Sequence, residues 1–119
     1  LIFNYRYIID EHGNVVPEPD LMKWAEWCER HHPCHVARTD LPNGLTVSTV
    51  FLAMDHGAQY LPHYERELFE TMAYRLKLDE GEEWDQAFEP EQWRYPTWER
   101  AAAGHLAAVE EMSRRYPVN

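Results

Sequence analysis

The run Leu45-Thr-Val-Ser-Thr-Val-Phe-Leu-Ala-Met-Asp-His56 constrains the fold more than any other part of the chain. β-Branched and aromatic residues dominate it, and these suit a pleated, half-buried surface. Asn43-Gly44 stands directly before it, and His35-Val-Ala-Arg-Thr39 stands before the turn Asp40-Leu-Pro-Asn-Gly44. Asn-Gly between two β-type runs is a strong hairpin signal, because both positions tolerate φ > 0. The long strand stops abruptly at Asp55-His56-Gly57, which puts two polar ligands at a sheet edge. Further on, Leu68-Phe-Glu-Thr-Met72 sets the carboxylate of Glu70 among apolar neighbours. Charges are rare in strand interiors, so Asp55, His56 and Glu70 are the first candidates for a site.

The chain of 119 residues predicts one domain over 1–119, with no room for a second core. No window approaches the roughly 18 apolar residues needed to span a bilayer, so no membrane partner is expected. Leu1-Ile-Phe-Asn-Tyr-Arg6 lacks a basic start and a long apolar stretch, so no signal peptide is expected. Residue 1 is not Met, and nothing rests on where the chain begins. Asp and Glu number 21 against 11 Lys and Arg, a formal net charge of −10. Duplex nucleic acid is bound by neutralising phosphates, so an acidic chain is not expected to bind it directly. The charge reads first as a solubilising surface, with a local basic pocket for a nucleotide, or imitation of a polyanion, as the sharper alternatives. Cys28 and Cys34 do not make a secreted disulfide framework, and reduced thiols in the cytoplasm are the expectation.

Residues 3–9 alternate well enough for a short strand, Asp10-Glu-His-Gly-Asn14 reads as a turn, and Val15-Val16 can pair back. Pro17-Glu-Pro-Asp20 then opens a helix, with Pro19 suited to its first turn and Glu18 or Asp20 to its positive end. Leu21, Trp24, Ala25 and Cys28 form its expected buried stripe, and Pro33 stops it. A loop with Pro62 is expected over 57–65. Segment 66–78 fits a helical stripe (Leu68, Phe69, Met72, Ala73, Leu76) and also strand alternation. A strand is preferred, because it can pair with 45–54. Residues 79–92 read as an acidic irregular insertion, and Trp93-Arg-Tyr95 as a short edge strand. The last helix is the clearest element, with Thr97 as N-cap and Trp98, Ala101, Ala102, His105, Ala108, Val109 and Met112 on one face. Arg114 and Arg115 favour its negative end.

Four motifs carry a resemblance: Val36-Ala-Arg-Thr39, Val47 to His56, Leu68-Phe-Glu-Thr-Met72, and Arg94-Tyr-Pro-Thr-Trp-Glu99 with Gly104-His105. In order and spacing they resemble a family of small uncharacterised proteins of tailed bacteriophages and prophages, over about residues 5–110. The resemblance implies a phage accessory protein, neither capsid nor polymerase component. It implies no activity and lends no catalytic residues. The Cys/His-rich stretch 28–35, the loop 57–67 and the acidic insert 79–92 depart from the family pattern.

Each constellation has a bland reading beside the sharp one. Cys28-Glu-Arg-His-His-Pro-Cys-His35 holds zinc-type ligands, yet its spacing matches no paired finger and Cys28 falls on an apolar stripe. No metal and no cofactor are expected. Asp55, His56 and Glu70, with His105 as a further member, make an acid–base set or a partial metal site if their strands adjoin, with Glu70 near Arg38 or His56 in a cleft. Alternatively Asp55 bonds turn amides and Glu70 pairs with an arginine such as Arg38. His105, on an apolar helix face, reads as a buried histidine. Nucleophile elbows and phosphate loops are missing. Trp24 and Trp98 read as core, Trp27 as lying on the polar helix face, and Trp84 as an exposed residue in an acidic loop, which is a binding-surface signature.

The expected fold is α+β: an antiparallel sheet of four to five strands with two helices packed on one face. The expected function is that of a phage-encoded, non-catalytic accessory protein. It would bind and neutralise a host-derived protein or small ligand, a nucleotide among the candidates, in the host cytoplasm. Arg38, Asp55, His56, Glu70 and Trp84 are the candidate ligand-binding residues, and self-association is left open. The alternatives are a small hydrolase using the Asp/His/Glu set and a virion structural or assembly factor.

Overall fold

The computed structural model describes residues 5–56, 65–77 and 83–118. Strands β1 (Tyr7–Ile9) and β2 (Val15–Pro17) form an antiparallel hairpin. Its turn is built by Asp10, whose carboxylate accepts from the backbone N–H of His12 at 2.9 Å and Asn14 at 2.8 Å. Gly13 supplies the left-handed backbone, at φ 82°. Helix α1 (Leu21–His31) follows, capped by Asp20, which accepts from Met22 N and Lys23 N. The helix ends before a cis His32–Pro33 bond.

Strands β3 (His35–Asp40) and β4 (Leu45–Phe51) make the hairpin expected from Asn43-Gly44. Asn43 also fastens this turn to the C-terminal part of the chain. Its amide donates to Met112 O and Tyr116 O, and its oxygen accepts from Leu45 N. Strand β5 (Phe69–Lys77) pairs with β4 from Leu45↔Arg75 to Phe51↔Phe69, so the ambiguous segment is a strand. Along the other edge of β5 lie β7 (Glu91–Tyr95) and, further up, β6 (Glu83–Trp84). The result is a five-stranded antiparallel sheet, and the chain has an α+β fold.

Helix α2 (Trp98–Arg115), capped by Thr97, lies across one face of this sheet. Register decides which residues it meets. Thr39, Val47 and Ala73 share a row, as do Ala37, Thr49, Thr71 and Trp93, and then Phe51, Phe69 and Tyr95. The buried residues of α2, Ala101, His105, Ala108 and Met112, sit on those rows. One core cluster gathers Leu45, Val47, Ala73, Ala108 and Met112, and another gathers Phe51, Leu68, Phe69 and Ala101. The approach is close at Gly104, where a Cβ would lie 2.3 Å from the Tyr95 ring.

Helix α1 serves the second cluster from the end of the sheet. After Phe51 the chain turns sharply at Ala53, a buried alanine at φ 62°. That conformation is costly for an L-residue. Two hydrogen bonds offset the cost, since the Ala53 carbonyl accepts from Tyr7 N and from Trp24 Nε1, both at 2.9 Å. The β1–β2 hairpin and α1 are thereby held to the sheet at one point.

The expected stripe of α1 needs correction. Leu21 and Ala25 are exposed, and the packing side is Trp24, Trp27 and Cys28. Trp27 meets Phe51 edge-on, with ring centroids 5.7 Å apart, so it does not lie on the polar face. Trp98 is 40% exposed and is not a core residue. Ala102 also faces outward, and the acidic stretch 79–92 contains β6 and the start of β7. Residues 1–4, most of the 57–65 loop and residues 78–82 lie outside the described residues.

Candidate binding cleft

The sheet face away from α2 carries most of the residues singled out from the sequence. Glu70 is directly opposite Arg94 on β7, and Arg94 Nε donates to its carboxylate at 3.1 Å. Arg94 also reaches Glu67 at 3.4 Å. Glu70 therefore pairs with Arg94 rather than Arg38 or His56. Arg38 stands opposite Ser48 on β3, with β4 between it and the strand of Glu70. That separation is about 10 Å, two strand spacings. Arg38 Nε donates to Asp40 at 3.4 Å, and Asp40 also accepts from Thr46 Oγ1 at 2.8 Å.

Asp55 is buried, and its carboxylate accepts from Glu67 N at 3.0 Å. Its own N–H donates to Tyr5 O at 2.7 Å. His56 N donates to Glu67 O at 3.2 Å. Asp55 thus bonds a backbone amide, as its structural reading had it, but that of distant Glu67 rather than one in an adjacent turn. Trp84 is 45% exposed and lies flat on Tyr74, with ring centroids 4.9 Å apart.

Under α2 lies a polar network that sequence reasoning found only in part. His105 is 3% exposed. Its Nε2 bonds Thr39 Oγ1 at 2.9 Å and its Nδ1 bonds Thr49 Oγ1 at 2.8 Å. Thr49 in turn bonds Thr71 Oγ1 at 2.5 Å. One imidazole ties the helix to two adjacent strands directly and, through Thr49, to a third. Burial pushes its pKa down, so the ring is held neutral, one nitrogen donating and the other accepting. With both nitrogens engaged, this histidine stabilises the fold and is not presented to a substrate.

A concave feature among the described residues lies elsewhere. It opens between the β1–β2 turn, the end of α1 and the first turn of α2. A cavity of about 530 Å³ is lined by Ile9, Asp10, Gly13, Trp27, His31, Cys34, Trp98 and Glu99. A second, of about 570 Å³, shares Ile9, Asp10, Trp27 and His31 with it and runs on past Glu11, His12 and Arg30. A smaller one of about 160 Å³ lies behind them, against Cys28, Cys34 and Phe51. Trp27 and His31 are common to all three. They stack at 4.3 Å with an interplanar angle of 16°, the i,i+4 neighbours of one helix face.

Local structure fixes the chemistry of this cleft. His31 Nδ1 is 2.8 Å from Trp27 O. A carbonyl only accepts, so Nδ1 carries a proton, and in the Nδ1–H tautomer Nε2 is the accepting nitrogen. Cys28 and Cys34 are free thiols, and burial pushes both pKa values up, away from the thiolate that a nucleophile or metal ligand needs. Among the described residues no three His, Cys, Asp or Glu side chains converge on a point that could hold a metal ion. No helix among them is long and apolar enough to cross a membrane.

Sequence reading passed over this cleft because its walls come from three distant segments. Its one local signal was the Trp27/His31 pair at i,i+4. The chain matches no protein-family model, no curated protein and no solved structure.

Proposed function

We propose that the chain is a phage-encoded accessory protein that acts by binding, and that the Trp27–Trp98 cleft is where it holds a host-derived partner or ligand. The observation that carries this reading is a concave, largely apolar site of about 530 Å³ with a tryptophan from each helix in its wall. That size and lining are typical of ligand sites, and partly exposed Trp is a frequent binding anchor. The phage assignment rests on the four sequence motifs.

Binding is favoured over hydrolysis by how the carboxylates are used. Asp55 is committed to a backbone amide and Glu70 to Arg94. The buried histidine has both nitrogens occupied. A general acid–base pair needs both partners within reach of substrate, and the two carboxylates that would partner His56 are spent on the fold, as is His105.

Native mass spectrometry of protein purified from bacterial cells tests the proposal. Wild type should carry a bound partner or ligand, and Trp98→Ala should lose it while keeping its far-UV circular dichroism. Retention of the bound species by Trp98→Ala, and by a Trp27→Phe variant, would contradict the cleft as the site.

A further inference from the structure

The occupant of the cleft can be narrowed from the chemistry of its walls, a step that rests on the cleft being the binding site. Three carboxylates, Asp10, Glu11 and Glu99, line the two adjoining cavities, against one permanent cation, Arg30. His31 adds a nitrogen that can only accept while its ring is neutral, because Nδ1–H is committed to Trp27 O. The site therefore offers acceptors and negative charge beside aromatic faces. The whole chain, at net charge −10, adds a long-range field of the same sign.

A ligand suited to these walls is a flat cation rich in N–H donors. Guanidinium fits each feature. It stacks on indole, donates in a planar fork, and is weakly hydrated enough to leave water. An ammonium group has the charge but not the stacking plane. A phosphate or carboxylate would meet three like charges. The two cavities share Ile9, Asp10, Trp27 and His31 and so adjoin, which leaves room for chain flanking a bound side chain.

We infer that the Trp27–His31–Trp98 cleft binds an arginine side chain presented by a segment of a partner protein. The guanidinium stacks on an indole face, and its N–H groups donate to Glu99, to Asp10 Oδ2, since the hairpin turn takes Oδ1, and to His31 Nε2. Flanking chain lies along the groove past Glu11.

The test is fluorescence anisotropy of a labelled arginine–glycine peptide against the intact protein at low ionic strength. Control peptides replace arginine by citrulline, lysine or glutamate. The arginine peptide should bind tightest, lysine about tenfold more weakly, and citrulline and glutamate not at all in the same range. Affinity should fall as salt is raised. Glu99→Gln should weaken it about fivefold, with the matched surface variant Glu110→Gln unchanged. Trp98→Ala should weaken it about tenfold.

Equal binding of the citrulline and arginine peptides would overturn the inference, as would an arginine affinity insensitive to Glu99→Gln. Agmatine alone binding as tightly as the peptide would overturn the assignment to a protein segment. The reading beneath is separable by heteronuclear NMR with neutral indole as probe. If indole shifts the Trp27 and Trp98 resonances while the arginine peptide does not, the cleft stands and the cation is wrong. If neither shifts them, both fall.

Discussion

Replacing His105 by alanine should be among the most damaging single changes available in this molecule. The ring is 3% exposed and bonds Thr39 at 2.9 Å and Thr49 at 2.8 Å. Two hydrogen bonds at about 1 kcal/mol each contribute about 2 kcal/mol. The emptied volume brings the total into the range of about 2–5 kcal/mol typical of large-to-small core changes. Thr49 keeps Thr71 as a partner at 2.5 Å, which limits the loss, whereas Thr39 is stripped of its imidazole contact. The net expectation is about 3 kcal/mol, a large part of the roughly 5–15 kcal/mol available to a domain. That corresponds to a fall in Tm of roughly 10 °C. Urea unfolding followed by circular dichroism is the assay, with Thr49→Val and the double variant completing a thermodynamic cycle. Coupling of about 1 kcal/mol between His105 and Thr49 is expected. A Tm within about 2 °C of wild type, or zero coupling, would refute the account of the network.

Three further outcomes follow from the same geometry. Burial lowers the pKa of His105 below the ordinary value near 6.5, so the unfolded chain takes up this proton first as pH falls. Its contribution is complete above about pH 6.5 and declines below it by up to about 1.4 kcal/mol per pH unit until the native ring protonates. Wild type minus His105→Asn, compared in urea at pH 7.5 and 5.5, should show that slope; equal differences at both pH values would contradict it. Gly104→Ala should destabilise by about 1–2 kcal/mol, because its Cβ would lie 2.3 Å from the Tyr95 ring and push that ring from its packing. In a Tyr95→Ala background the same change should instead stabilise by about 0.5–1 kcal/mol through helix propensity, and loss of stability in both backgrounds would count against the clash. Glu70→Gln should cost about 1 kcal/mol or less, since the Arg94 pair is partly solvated, and should leave arginine-peptide affinity unchanged; weakened affinity in the folded protein would move the site to the open face.

What could be read from the sequence was whatever is written locally. The β4 run, the Asn43-Gly44 turn and the Thr97 cap each declare themselves within a few residues. The period of α2 likewise placed His105 among Ala101, Ala108 and Met112, all buried. The strand at 66–78 followed from its ability to pair with β4. What failed depended on partners distant in sequence. On α1, two overlapping stripes fit a 3.6-residue period, Leu21-Trp24-Ala25-Cys28 and Trp24-Trp27-Cys28-His31. Which one packs is decided by Phe51 and the Ala53 turn, and the sequence of the helix holds no trace of either. Glu70 drew the right class of partner but the wrong arginine, because β7 docks beside β5 on the side away from β3. The cleft was beyond reach for the same reason. Its walls are residues 9–13, 27–34 and 98–99, which only the docking of the β1–β2 hairpin brings together.

The central claim is that this protein binds through the Trp27–Trp98 cleft, and mapping probes onto its backbone amides by NMR tests it most directly. A neutral indole, an arginine amide and a carboxylate anion would be titrated in turn into the isotopically labelled protein. The account predicts saturable shifts for the arginine amide and indole, confined to residues 9–13, Trp27, His31, Cys34, Trp98 and Glu99, and none for the anion. Shifts centred on Tyr74, Trp84, Glu70 and Arg94, with the cleft silent, would contradict it.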